Sequence, residues 1–206
     1  MYKFRFSKYI GGGILVKNHT LEKANVANHI RAVLEAIGEN PNREGLLDTP
    51  DRVAKMYDEV FAGVGIDPKT ALTTTFDSEG YEGMVVVKDI DYYTFCEHHL
   101  IPFFGKAHIA YIPNERIVGL SKFARLVELV SKRPQVQERM TQQIAEAIHK
   151  VLDPKGVMVA IEGQHLCMCA RGVKKTGTST VTTVKKGVYL DDASLVREFE
   201  RNMTIS

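Results

Sequence analysis

The sequence predicts an α+β fold: an antiparallel sheet with helices on one face, preceded by N-terminal helices. Three observations carry this. Runs rich in β-branched and apolar residues at 84–90, 104–112, 157–162 and 165–171 read as strands. Between the second and third of them, two stretches carry apolar residues at helical spacing. The connections within the first and the last pair of strands are short, which favours antiparallel pairing. Such a sheet leaves open edges that need covering or pairing with another subunit.

Residues 1–19, with Gly11-Gly12-Gly13 and weak periodicity, read as an arm, and 20–206 as a single domain. Its helical part spans 20–65 and its sheet-bearing part 84–206. Thr20 is placed to cap a helix running to about Gly38, with Ala27, Ile30, Leu34 and Ile37 as its stripe. Thr49-Pro50-Asp51 reads as N-cap, N1 proline and first-turn acid of a second helix carrying Val53, Met56, Tyr57 and Val60, which ends near Gly63. Residues 66–83 read as loop. After the strand at 84–90, Cys96-Glu97-His98-His99 falls in a connection, and 104–112 returns, closed by Pro113-Asn114. Ser121 is placed to cap a helix over 122–132, with Phe123, Leu126, Val127 and Val130 inward. Pro134 opens the next, with Val136, Met140, Ile144, Ile148 and Val151 as its stripe. Asp153-Pro154-Lys155-Gly156 makes a turn into the third and fourth strands, and the Thr-rich segment 176–184 extends the sheet.

A chain of 206 residues is long enough for one well-buried core. With 44% hydrophobic and 25% charged residues it has the balance of an ordinary soluble protein. A net charge of +2 points to no nucleic-acid partner. No stretch is apolar for long enough to span a membrane, and no signal peptide is recognisable. The expected setting is the cytoplasm, where three cysteines serve as ligands or nucleophiles rather than disulfide partners.

Chemistry concentrates at Cys96-Glu97-His98-His99 and His165-Leu166-Cys167, which offer two thiols and three imidazoles. Zinc prefers these donors, and catalytic zinc is typically held by three of them. If 165–171 is a strand, alternation puts His165, Cys167, Cys169 and Arg171 on one face. A single Cys or His is more often a buried thiol or a hydrogen-bonded imidazole; two dense clusters on separate halves of the chain favour a metal. Spacing leaves the choice of histidine open: a turn brings His99 to Cys96, an extended segment His98. Zinc lowers the pKa of a bound water to about 7, and an imidazole outside the ligand set can move protons beside it. Lys122 and Arg125 lie three apart near a helix N-terminus, an arrangement suited to an anion as well as to a solvated basic face. Arg171, Lys174 and Lys175 follow the second cluster. Glu138, in a first helical turn, suits either the helix dipole or the N–H edge of a guanine.

These segments together resemble the GTP cyclohydrolase I family, zinc enzymes that open the guanine of GTP at C8 and form 7,8-dihydroneopterin triphosphate. The resemblance rests on Thr49-Pro50-Asp51-Arg52-Val53-Ala54-Lys55-Met56-Tyr57, Cys96-Glu97-His98-His99, Gly119-Leu120-Ser121-Lys122, Arg133-Pro134-Gln135-Val136-Gln137-Glu138-Arg139, His165-Leu166-Cys167 and Ala170-Arg171-Gly172, in the family's order over roughly 20–200. It implies Zn²⁺ on Cys96, His99 and Cys167, with His98 and His165 as proton-transferring imidazoles and Ser121 near the ribose. It implies Glu138 and Gln137 at the guanine, and Lys122, Arg125, Arg171 and Arg52 at the triphosphate. It makes 20–206 a single catalytic domain of the tunnelling fold, in which subunits join their sheets into a barrel. The expected assembly is a homodecamer of two pentamers with active sites at subunit interfaces. Cys169 is an extra thiol two residues beyond Cys167. The rival readings are a tunnelling-fold relative acting on another purine or pterin through a Cys nucleophile, and a zinc-stabilised nucleotide-binding module with a closed four-ligand site.

Overall fold

The computed structural model describes residues 21–204; the arm at 1–19 and Thr20 as a helix cap lie outside the described residues. The order is α1 (Lys23–Ala36), α2 (Thr49–Val60), β1 (Thr75–Asp77), β2 (Val85–Cys96), β3 (Pro102–Ile112), β4 (Arg116–Val118), α3 (Ser121–Ser131), β5 (Pro134–Gln135), α4 (Gln137–Leu152), β6 (Gly156–His165), α5 (Leu166–Cys169), β7 (Thr180–Gly187) and α6 (Ala193–Thr204). The main sheet runs β5-β2-β3-β6-β7, and β1 pairs with β4 in a small separate ribbon. All main-sheet pairings are antiparallel except the two-residue parallel match of β5 to the end of β2.

The apolar stripes of α3 and α4 decide which face is covered. Phe123, Leu126, Val127 and Val130 from one and Met140, Ile144 and Ile148 from the other are fully buried. They pack on Phe103, Ile109, Tyr111, Val157, Val159 and Ile161, which alternation sends to the same side of β3 and β6. The opposite face is not bare, and here the expectation of helices on one face alone is corrected. Helix α6 lays Phe199, with Leu195, Val196 and Met203, over Ala110, Ile112, Met158 and Ala160. Those four positions recur at helical spacing, a signal present in the sequence.

Several boundaries move for physical reasons. Strand β2 continues past residue 90 to Cys96 across a β-bulge between Val87 and Ile90. Asp89 takes φ 58° there, a conformation Asp tolerates, and its N–H donates to His108 Nδ1 at 3.2 Å. The caps sit one residue early, at Asp48 for α2 and Leu120 for α3. Pro134 does not open a helix; it lies in β5, and α4 begins at Gln137.

The strand expected over 165–171 is also corrected. Strand β6 is continuous from Gly156, and His165 is its last residue paired with β3, opposite Phe103. With no partner beyond it, the chain closes into α5, where Ala170 N–H donates to Leu166 O at 2.9 Å.

The N-terminal helices are an appendage. Helix α1 packs on α2, whose far end docks on the sheet through Tyr57, Phe61 and Phe95, edge to face at 5.1 and 5.4 Å. Gly63 makes that docking possible: its N–H donates to Lys132 O, and a Cβ there would lie 2.3 Å from Leu129 O. Val33, Ile37, Leu47 and Met56 of this hairpin remain exposed.

Candidate active site

Strands β2 and β6 end at the same edge of the sheet, separated by β3, and each delivers one half of the chemistry. Cys96 is the last residue of β2, buried, with its N–H held by Ile101 O at 3.0 Å. The chain then turns: the N–H groups of His99 and Leu100 both point back to Cys96 O, at 3.4 and 2.8 Å. A turn was the condition for choosing His99 over His98. The ligand atoms of Cys96, His99 and Cys167 lie within 4.8 Å of one another. His98 stays close, its Nδ1 3.8 Å from Cys96 Sγ, with its ring largely in solvent.

The donors fit a metal. Burial, then the neighbouring Cys96, pushes the Cys167 thiol above its ordinary value. A cation bound between the two sulfurs would favour their thiolate forms. Two sulfurs and an imidazole suit zinc. Cys169 stands outside the group: its Sγ donates to Lys175 O at 3.3 Å. A closed four-ligand site built on Cys169 is therefore not what this arrangement offers.

His165 is held by what surrounds it. Its ring stacks on Phe103 with centroids 4.4 Å apart, and Nε2 lies 2.9 Å from Gln137 Oε1. The Gln137 amide nitrogen faces acceptors, donating to Ile161 O at 3.0 Å and Thr180 O at 2.9 Å. That fixes which way the amide points, so Oε1 accepts and His165 Nε2 carries the proton. Nδ1 is left with its lone pair. Burial holds the ring below the ordinary histidine range, against an upward pull from Glu138. The resemblance placed Gln137 at the guanine; in this structure its buried amide bonds to protein partners. Gly163 opens the space for it, since a Cβ there would lie 2.5 Å from Gln137 Oε1.

Glu138 follows on the exposed side of the same turn of α4. Arg171, expected at phosphate, donates from Nη1 to His99 Nε2 at 2.9 Å. The other phosphate candidates lie elsewhere. The carbonyl of Ser131, at the C-terminal end of α3, accepts from Thr94 Oγ1 at 2.6 Å, two residues from Cys96. Ser121 begins the same helix, about 15 Å away at 1.5 Å per residue. Lys122 shares that far end, and Arg125 lies near the middle of the helix. Arg125 lines a cleft of about 640 Å³ with Glu59, Lys88, Asp91, Tyr93 and Glu128, and the cleft contains none of the three metal-ligand candidates. Arg52 sits on exposed α2, paired to Asp48 at 3.1 Å. One chain thus gathers the metal group, His98, His165, Glu138 and Arg171, and leaves Ser121, Lys122, Arg125 and Arg52 apart.

Sequence reasoning passed over Glu97 and Arg139, which form an ion pair across the end of the sheet. Both lie inside the quoted motifs, but 42 positions apart, and only the fold pairs them.

Curated proteins compare as follows. GTP cyclohydrolase 1 of Clostridium perfringens (strain 13 / Type A) is 51% identical over 185 residues, covering 90% of this chain and 100% of that protein. The Streptococcus agalactiae serotype V protein of the same name is 61% identical over 160 residues, covering 77% and 85%. That of Streptococcus pyogenes serotype M1 is 56% identical over 184 residues, covering 89% and 93%. The family model described as GTP cyclohydrolase I matches residues 26–204, so a chain that builds a Cys-His-Cys cluster beside a tautomer-locked histidine belongs to the GTP cyclohydrolase I family.

Proposed function

We propose that the protein hydrolyses the guanine imidazole ring of GTP at C8, releases formate and rearranges the remainder to 7,8-dihydroneopterin triphosphate, the entry step of folate and pteridine biosynthesis. The observation that carries this reading is the convergence of Cys96, His99 and Cys167 within 4.8 Å beside His165. Zn²⁺ held by these three residues supplies Lewis acidity and lowers the pKa of a water.

The chain's own groups do the rest. Glu138 accepts N–H donors of the guanine edge. His165, neutral and with Nδ1 free of the Gln137 bond, accepts or returns a proton at that atom, and His98 exchanges protons with solvent. The balance is two waters in and one out. The first opens the ring between C8 and N9, and the second frees formate. The ribose then opens, and its rearranged carbonyl condenses with the liberated amine and loses water. Ser121 serves the ribose, and Lys122, Arg125, Arg171 and Arg52 the triphosphate.

Most of the length of α3 separates Lys122 from the helix end near Cys96, which supports a substrate bridging two copies. The proposed assembly is a tunnelling-fold barrel, in which the free edges of β2 and β7 pair between subunits into pentamers and two pentamers form a homodecamer. The exposed apolar residues of the α1–α2 hairpin support burial against another copy. A cytoplasmic setting is part of the same proposal; among the described residues no helix is long and apolar enough to cross a membrane.

The test is to incubate zinc-loaded protein with GTP and measure formate together with the absorbance of the oxidised pterin. Equal amounts of both are expected. Formate without pterin would restrict the activity to ring opening, and neither product at confirmed zinc occupancy would overturn the reading.

A further inference from the structure

The first turn of α4 touches both halves of the metal site. Gln137 reaches the His165 side, and Arg139 reaches the turn that carries Cys96 and His99. That turn is weakly held by its own sequence. Residues 97–100 are exposed, and Leu100 takes φ 51°, the left-handed region that a γ-branched side chain enters at a cost. From outside, Arg171 reaches the His99 ring, and Glu97 fastens the backbone beside Cys96. Its N–H donates to Gln135 O at 2.9 Å, and its carboxylate accepts from Arg139 Nη2.

Arg139 is itself anchored. Nε donates to Gln135 Oε1 at 3.1 Å and Nη2 to Pro134 O at 3.1 Å. Gln135 is fully buried and donates to Val130 O and Gln143 Oε1, both at 2.9 Å. An unbroken chain of hydrogen bonds therefore runs from the core, through Gln135 and Arg139, to the residue next to Cys96. A lone surface ion pair contributes little. A guanidinium already locked in place by two other bonds loses little further freedom when it grips a carboxylate.

We infer that Arg139, acting through Glu97, is a positioning residue for the metal centre: it fixes the turn at 96–99 so that Cys96 and His99 present their ligand atoms together, and so raises affinity for Zn²⁺. Arg139 touches none of the three ligand candidates. The inference rests on their reading as the metal site. Partners beyond the ligands typically change metal affinity by about 10–100-fold when removed.

The experiment measures zinc dissociation constants of the full-length protein, stripped with a chelator, by competition with a chromophoric chelator. Arg139→Gln should bind zinc about 10–100-fold more weakly than the parent. Arg139→Lys keeps a cation for Glu97 without the fork and should fall between the two. The gain in melting temperature on adding zinc should shrink in step. Parental affinity in folded Arg139→Gln, or equal loss of melting temperature with and without zinc, would overturn the inference and leave Arg139 a structural residue only. If Arg139→Gln does not fold, Glu97→Gln decides by the same criterion, because it leaves the Gln135 network intact. A parent that binds no zinc would overturn the metal site itself, which separates that failure from this one.

Discussion

The two ends of α3 present different groups, which the proposed function assigns to two halves of one site. At the C-terminal end, Thr94 ties the helix to β2, and within a few residues the sheet gathers three metal-ligand candidates, a locked imidazole and Glu138. Toward the N-terminal end lie Ser121, Lys122 and Arg125, of which Arg125 lines a cleft that holds none of those candidates. The chemical end is assembled by hydrogen bonds within one chain. The phosphate end has its charges, but most of the length of α3 separates Lys122 from the helix end near Cys96. The difference teaches that, if the proposed assembly holds, catalysis and substrate reach are separable, the first resting on the fold and the second on the contact between copies.

The sharpest way to break that comparison is complementation. Cys167→Ala removes a ligand candidate and should abolish zinc binding and turnover. Lys122→Ala should keep zinc and lose turnover through weak binding of the triphosphate. Dissociated, mixed in equal amounts and reassociated, the two inactive proteins should recover activity. About a quarter of the parental rate is expected, since in a closed ring one interface in four then unites two intact halves. No recovery from a mixture shown to contain both chains in one oligomer would place the phosphate site within a single chain.

How much of this was readable beforehand divides along the same line. The inward faces of α3 and α4 were legible because their apolar spacing answers to one local period, and Phe123, Leu126, Met140 and Ile144 are indeed fully buried. Cys96 and Cys167 were legible because sulfur and imidazole donors are rare enough to stand out in two clusters. The end of β6 was not. Alternation at 165–171 fits a strand, but a strand also needs a partner, and β3 offers none beyond Phe103. The protein partners of Gln137 were hidden for a similar reason. Nothing local says that its amide lies under Gly163, where Ile161 O, Thr180 O and His165 absorb it. Arg139 and Glu97 were passed over because a charge in a helical turn is usually solvated.

The next prediction sharpens the chemical end. Gln137→Ala frees His165 to flip or change tautomer without touching a ligand candidate. Turnover should fall on the order of 10²-fold, near the low end of what a placed proton-transfer group contributes, with zinc content and KM for GTP close to parental. A raised KM at unchanged kcat would return Gln137 to the guanine.

The smallest effect probes the tie between the two ends. Thr94 is buried, and its hydroxyl donates to Ser131 O at 2.6 Å, with Arg133 O a second acceptor at 3.2 Å. Thr94→Val keeps the shape of the side chain and removes the donor. The carbonyl of Ser131, at the last turn of α3, loses this partner but keeps the N–H of Arg133 at 2.8 Å, so the cost is about 0.5–1.5 kcal/mol. For a domain of this size each kcal/mol lowers the melting temperature by about 2–4 °C. The outcome on zinc is the informative part. Cys96 is two residues away, yet its turn is fastened through Gln135 and Arg139, and Gln135 reaches α3 at Val130 O rather than through Thr94. Thr94→Val should therefore melt earlier and still bind zinc with parental affinity. If affinity falls in proportion to stability, the metal turn and the helix end form one cooperative unit, and the separation between the chemical end and the rest of the layer is lost.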